Sequence, residues 1–250
     1  MKTLIKSLVI ISALCLFINM SYAQKMYQIH QDNVKPSMVS LYEKTAKEFT
    51  EACNKHNPQA PWITATTGNM QYLYISPLEN FAALDENVFS DMRKAMGDSW
   101  SNIFKNFNKC YDSHSDYIIT LSEKLSYMPE GITQMQEGQN YRNWYYLYYT
   151  PENGENILEA IKGVKELFKS KASKSYYRIY RSGFGCPESF YLVAVSSKDE
   201  LDSAIKGKAN QETLGEDRKA VFGNLMQYVS RFEEITGEMR PDISYSPKSN

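Results

Sequence analysis

Along this chain the apolar positions alternate between a period of two and a period near 3.6, which separates strands from helices. Residues 26–30 open with strand-like alternation. After Pro36 and Ser37, the residues Met38, Leu41, Tyr42, Thr45, Ala46, Phe49, Ala52 and Cys53 fall on one helical stripe. Glu43, Lys44, Lys47, Glu48 and Glu51 take the other face, and Asn57-Pro58 ends the helix. Residues 62–66 and 71–76 read as strands around Gly68-Asn69, a hairpin signal. Ser76-Pro77-Leu78-Glu79 has the form of a capping box with proline just inside, which predicts a helix to about Met92. A second stripe, Trp100, Ile103, Phe104, Phe107, Cys110 and Tyr111, leads to a strand over 117–125.

The second half gives the same order. Residues 144–149 form a strand, and Ile157, Leu158, Ile161, Val164, Leu167 and Phe168 mark a helix. Strands over 176–181 and 190–195 flank a turn with Gly183, Gly185 and Pro187. That turn is followed by a strand, so its glycines do not make a phosphate loop, which needs a helix N-terminus behind it. Ser197-Lys198-Asp199-Glu200 repeats the capping box, and Val221, Phe222, Leu225, Met226, Val229 and Phe232 mark a closing helix. Residues 128–140, with one proline, two glycines and four Gln or Asn, read as a linker.

The two halves also match at a fixed step. Gly97-Asp98 lies over Gly215-Glu216, Phe104 over Phe222, and Ser126-Tyr127 over Ser244-Tyr245, each 118 residues apart (222−104). A step that long implies duplicated domains rather than a solenoid, whose repeats run about 20–50 residues. Each half then reads as βαββαβ, a ferredoxin-like unit, over 24–127 and 141–250. In Trp144-Tyr145-Tyr146-Leu147-Tyr148-Tyr149 both alternating sets are apolar or aromatic, so neither sheet face expects water. The expected fold is α+β, with the two half-sheets facing each other.

In element order and internal repeat the chain resembles the dimeric α+β-barrel superfamily, which includes antibiotic-biosynthesis monooxygenases, EthD-like and NIPSNAP proteins. The resemblance implies a pseudo-dimeric barrel fused in one polypeptide. It carries no motif of those families, so no catalytic residue is transferred.

Alternation assigns Ile29, Leu73, Ile75, Leu147, Leu192 and Ala194 to the helix-facing side. Gln28, His30, Tyr72, Tyr74, Trp144, Tyr146, Tyr148, Tyr176, Arg178, Tyr180 and Tyr191 are then expected between the sheets. His30, Tyr72, Tyr74, Trp144, Tyr146, Tyr148, Arg178 and Tyr180 are the candidate ligand-binding residues. The alternative is a plain inter-sheet core whose hydroxyls reach the rims. His30 would serve there as base, haem ligand or structural residue. His56 and His114, near helix ends with Asp112 and Asp116, form either a rim metal site or two exposed histidines, and no metal is assigned.

Composition narrows the classes. Lys2 and Lys6, an apolar run over 8–18 and Ser21-Tyr22-Ala23 describe a cleaved export signal over 1–23. Cys15 follows Leu14 inside that run, which is not a lipoprotein pattern. The remaining 227 residues (250−23) carry 26 basic and 29 acidic side chains, a net charge of −3 without a basic cluster, which argues against nucleic acid. No later stretch reads as a membrane anchor. Cys53, Cys110 and Cys186 remain, with Cys53 and Cys110 the candidate disulfide. No HExxH, GxSxG, Walker A or GxGxxG occurs. The expectation is an exported small-molecule-binding protein, periplasmic or extracellular, with a Tyr-lined inter-sheet cavity for a partly apolar ligand, no cofactor and no identifiable catalytic machinery. Two alternatives stand beside it: a cofactor-free or haem-handling oxygenase using His30, Arg178 and the tyrosines, and an accessory protein without a ligand. Expressed whole in a Gram-negative host, the chain should be recovered outside the cytoplasm with Gln24 at its N-terminus, as read by intact mass.

Overall fold

A computed structural model describes residues 25–134 and 136–248, so the segment read as an export signal lies outside the described residues. The first half runs β1 (Met26–Val34), α1 (Val39–His56), β2 (Ile63–Thr67), β3 (Gln71–Leu78), α2 (Ser90–Met96), α3 (Asp98–Cys110) and β4 (Tyr111–Leu121). The second runs β5 (Tyr141–Tyr148), α4 (Gly154–Ser170), β6 (Tyr177–Ser182), β7 (Phe190–Ser197), α5 (Glu200–Leu214), α6 (Asp217–Met226) and β8 (Arg231–Met239). Among the described residues no helix is long and apolar enough to cross a membrane.

Local chemistry sets the boundaries. α1 buries Tyr42, Thr45, Ala46, Thr50 and Cys53 along one stripe. It stops at Asn57, whose left-handed φ of 53° turns its N–H onto the Cys53 carbonyl at 2.8 Å. The helix expected from Ser76 does not form. Pro77 is still in β3, opposite Tyr27, and Asn80 rather than Ser76 caps the next turn, at Phe81–Asp85. Phe81 and Leu84 are exposed there, so that stretch has no face to bury and only the short α2 follows. The second capping signal is displaced too, because Asp199 accepts the Asp202 N–H at the start of α5. The closing helix is shorter than its stripe. It ends at Met226, and Phe232 lies on β8 opposite Leu147. β4 starts earlier than expected because the polar residues after Cys110 pair with β1.

The eight strands close into one antiparallel barrel, in the order β1-β3-β2-β8-β5-β7-β6-β4. The half-sheets therefore join edge to edge instead of stacking as separate layers. The seams are Ala65↔Met239 to Thr67↔Gly237 between β2 and β8, and Ile119↔Ser182 to Leu121↔Tyr180 between β4 and β6. One apolar cluster of strand residues, Ile29, Ala65, Leu73, Leu121, Trp144, Tyr180, Phe190 and Leu192 among them, fills the interior. Two others join helices to the barrel wall, one around Tyr42 and Phe107, the other around Ile157, Ile161 and Leu214. Burying an aliphatic side chain such as Ile157 contributes about 1.5–3 kcal/mol. Residues 128–140 are more than a linker. Ile132 joins the interior cluster, and the Thr133 carbonyl takes a bond from Arg178 at 2.7 Å.

Two expectations need correction. Cys53 and Cys110 are separate buried thiols, Cys53 against Met92 and Cys110 against the Asn106 carbonyl. The face assignment is right only in part. Ile29, Leu73, Ile75, Leu192 and Ala194 point into the barrel, while Tyr72, Tyr74 and Tyr191 lie under helices. Keeping the step of 118 between β4 and β8 makes the ladder registers match Ile29 with Trp144, a step of 115 (144−29). The difference is odd, and in a strand an odd slip exchanges the two faces.

Gly237 sits at the β2–β8 seam, where an added Cβ would overlap the Thr66 carbonyl oxygen and the Trp144 ring. Gly237→Ala should therefore lower stability by about 1–3 kcal/mol or more. Urea denaturation reads this directly, and an unchanged midpoint would contradict the seam.

Candidate functional site

The residues expected in one inter-sheet space are divided by the barrel wall. Trp144, Tyr146, Tyr148 and Tyr180 belong to the interior cluster. Tyr146 stacks on Tyr148 at 6.0 Å, and Tyr180 bonds the Gln134 side chain. Arg178, only 2% exposed, donates to the Thr133 and Gln134 carbonyls and, at 2.6 Å, to the Ser196 hydroxyl. Burial lowers its pKa. Tyr180 and Arg178 thus help to hold the 128–140 connection in place, while the Tyr148 hydroxyl donates to Glu233 at 3.2 Å. His30, Tyr72 and Tyr74 are on the other side, under the helices of the first half.

There the strand ladders assemble a polar floor. Asp32 lies opposite His114 on β4 and Tyr72 on β3, and His30 lies opposite Asp116 and Tyr74. His30 Nδ1 is 3.0 Å from Asp116 Oδ1, and Nε2 is 3.2 Å from Asp32 Oδ1. Burial pulls the His30 pKa down, but Asp32 and then Asp116 more than reverse this and raise it to about 9. Asp32 is 4% exposed, and its Oδ2 accepts the Tyr42 hydroxyl at 2.6 Å. The Tyr42 and Tyr74 hydroxyls are 3.0 Å apart. Burial, above all, drives both phenol pKa values well up and keeps them neutral. Asp32 Oδ1 makes a charge contact with His30 but has no aligned hydrogen-bond donor, an uncommon state for a buried oxygen.

A cavity of about 550 Å³ opens over His30, Asp32 and Tyr74, and its walls include Phe49, Trp62, Phe89, Phe104 and Phe107. Phe49 links these rings, with centroids 5.8 Å from Trp62 and 5.6 Å from Phe104. Trp62 is fixed from below, because its indole N–H donates to the Ile243 carbonyl at 2.9 Å. The expected rim pair separates. His114 lies edge-on to His30 at 5.4 Å, Asp112 pairs with Lys35 at 3.0 Å, and His56 joins no ligand cluster among the described residues. Asp32 and Tyr42 were not anticipated as site residues. A signal for Asp32 was present in Gln28, His30 and Asp32, polar at every second position of β1.

A second cavity, about 430 Å³, lies between the outer face of β5–β7 and helices α4–α6, with apolar walls such as Ile161, Phe168 and Leu225. Neither cavity suits a haem. The second has no histidine or cysteine in its wall, and burial raises the pKa of its Tyr177, which opposes a phenolate ligand. In the first, the Asp32 carboxylate stands 3.2 Å from His30 Nε2, a side that a small cation can share but that leaves no room for the ring around a haem iron.

The fold is an eight-stranded antiparallel α+β barrel shared with several solved structures. The chain is similar to the solved structure of an anthrone oxidase-like protein, with TM-score 0.58 and 12% identity over 88% of this chain and 92% of that one. A protein named for monooxygenase activity from Lactobacillus acidophilus NCFM gives 0.53 and 10%, over 86% and 94%. Chlorite dismutase from Candidatus Nitrospira defluvii, in complex with imidazole, gives 0.52 and 8%, over 89% and 93%. No family model matches the chain, and no curated protein is significantly similar to it in sequence. The expectation of a binding protein without catalytic machinery is corrected on two grounds. The residues on which it rested are divided by the barrel wall, with His30, Tyr72 and Tyr74 outside it, and these three neighbours are named for enzymes.

Tyr42→Phe should cost about 1.5–3 kcal/mol, the range for a hydrogen bond to a charged group, since it removes the one aligned donor on buried Asp32. The shift in urea midpoint measures it, and a change under about 0.5 kcal/mol would mean that Asp32 needs no such donor.

Proposed function

We propose that the chain is an exported, haem-free oxygenase-type enzyme, acting on a small aromatic substrate in the cavity over β1 and β3. The observation that carries this reading is the meeting of an aromatic-walled cavity with a buried, incompletely satisfied carboxylate. Flat rings stack well against Phe49, Trp62 and Phe104, and Asp32 Oδ1 provides a proton acceptor beside the His30 donor. The name of one neighbour, anthrone oxidase-like, supports a substrate with a methylene activated by two aryl rings. Such a methylene loses two hydrogens and gains one oxygen atom, while the other leaves as water. The substrate supplies all four electrons, so the protein's tasks are to hold the ring, accept the proton and admit oxygen.

The common strand order of the two halves, β4-β1-β3-β2 and β8-β5-β7-β6, supports reading them as fused ferredoxin-like units over 24–127 and 141–250. On that reading the catalytic cavity belongs to the first unit and the interior tyrosines serve the joint between units.

An oxygen electrode with a dihydroxyanthrone tests the activity. Quinone should form with one oxygen consumed per substrate, faster than with heat-denatured protein. His30→Ala should lower kcat about 10²-fold or more, and Phe222→Ala, in the second cavity, should leave it unchanged. A rate equal to the denatured control would end the proposal.

A further inference from the structure

We propose that His30, Asp32 and His114 bind one divalent transition-metal cation of the zinc or iron(II) kind. This goes beyond the oxygenase reading and does not depend on it: it requires only these side chains, and with the ion bound Asp32 Oδ1 and His30 Nε2 would act as ligands in place of the acceptor and donor roles given above. Each brings one ligand atom within 4.8 Å of the other two. His30 Nε2 and Asp32 Oδ1 are 3.2 Å apart. In a tetrahedron with bonds of about 2.0–2.2 Å, two ligand atoms stand about 3.4 Å apart, so this pair already spans one edge.

A second observation is independent of the clustering. Asp32 is 4% exposed, and its Oδ1 is buried without a hydrogen-bond partner. The one charged group facing that oxygen is the His30 imidazole, at 3.2 Å and without an aligned hydrogen bond, and a cation coordinated in common with His30 would supply a closer partner.

The outer partners are also in place. Asp116 Oδ1 sits 3.0 Å from His30 Nδ1, the carboxylate–histidine arrangement that orients an imidazole toward a metal through its other nitrogen. Tyr42 holds Asp32 Oδ2 at 2.6 Å and so fixes the carboxylate's orientation. All three ligands stand on adjacent strands, with Asp32 and His114 directly opposed between β1 and β4, so no loop has to order first. Two imidazoles with one carboxylate suit zinc or iron(II) over magnesium or calcium, which prefer oxygen shells. His30 and Asp32 also line the cavity, which leaves a coordination position for water or a ligand.

The test uses the full chain, dialysed against chelator and titrated with Co²⁺ by visible absorption and with Zn²⁺ by calorimetry. One ion per chain is expected. His114 is exposed, so His114→Ala keeps the fold, as circular dichroism will verify, and should weaken binding at least about 10-fold. Asp116→Asn, which alters an outer partner, should weaken it about 10–100-fold. His56→Ala should change nothing, because His56 lies outside the cluster. The proposal is overturned by the absence of stoichiometric binding, or by a loss with His56→Ala equal to that with His114→Ala.

Discussion

Closure of the sheet is the constraint from which the rest follows. Eight strands joined at both seams leave an enclosed space, and side chains from every strand must fill it. Trp144, Phe190, Tyr180 and Leu192 help to do so, with Ile132 of the β4–β5 connection beside them. These side chains pack the barrel centre, while Tyr117, Tyr146 and Tyr148 of the same cluster stay only partly buried. The two cavities described above lie where helices stand off the outer face.

Within the first of these, the buried charge of Asp32 ties fold to site. A carboxylate removed from water is costly unless it is paired and hydrogen-bonded. Tyr42 on α1 and His30 on β1 meet that need from two elements, so the same contacts that dock α1 also shape the cavity floor. The aromatic walls, in turn, are the continuation of the stripes that bury α1 and α3, with Phe49 and Phe107 reaching past the core edge. Little of the site is built from residues without a structural role.

Most of the element order is legible in the residues, since α1, α3, α4 and the strand-rich runs other than β8 follow their apolar periods, and β8 is hidden because Phe232 continues the helical stripe before it. Where reading fails, the physical cause is local. Pro77 completes a strand because β1 is there to pair with it, and no sequence window reports a partner 50 residues away. Tyr111 to Asp116 looks like a loop because its outer face is polar and exposed, yet apart from a bulge at Asp112 its backbone is laddered to β1. The site was half legible. His30 was identified, but the three-residue difference between the steps 118 and 115 placed it inside the barrel with Tyr148. A repeat detected at the end of each half says nothing about loop lengths at its beginning, and one odd difference is enough to exchange the faces.

Cys110 is the last residue of α3 and Tyr111 is the first of β4, with no loop between them. The wall residues Phe104 and Phe107 and the floor residues His114 and Asp116 are therefore parts of one continuous lever. The slack that a connecting loop would give between helix and strand is reduced at this joint to one bulged residue, Asp112. Whatever displaces the aromatic wall is transmitted mechanically to the imidazole and carboxylate a few residues on, and whatever clamps those two side chains also stiffens the wall.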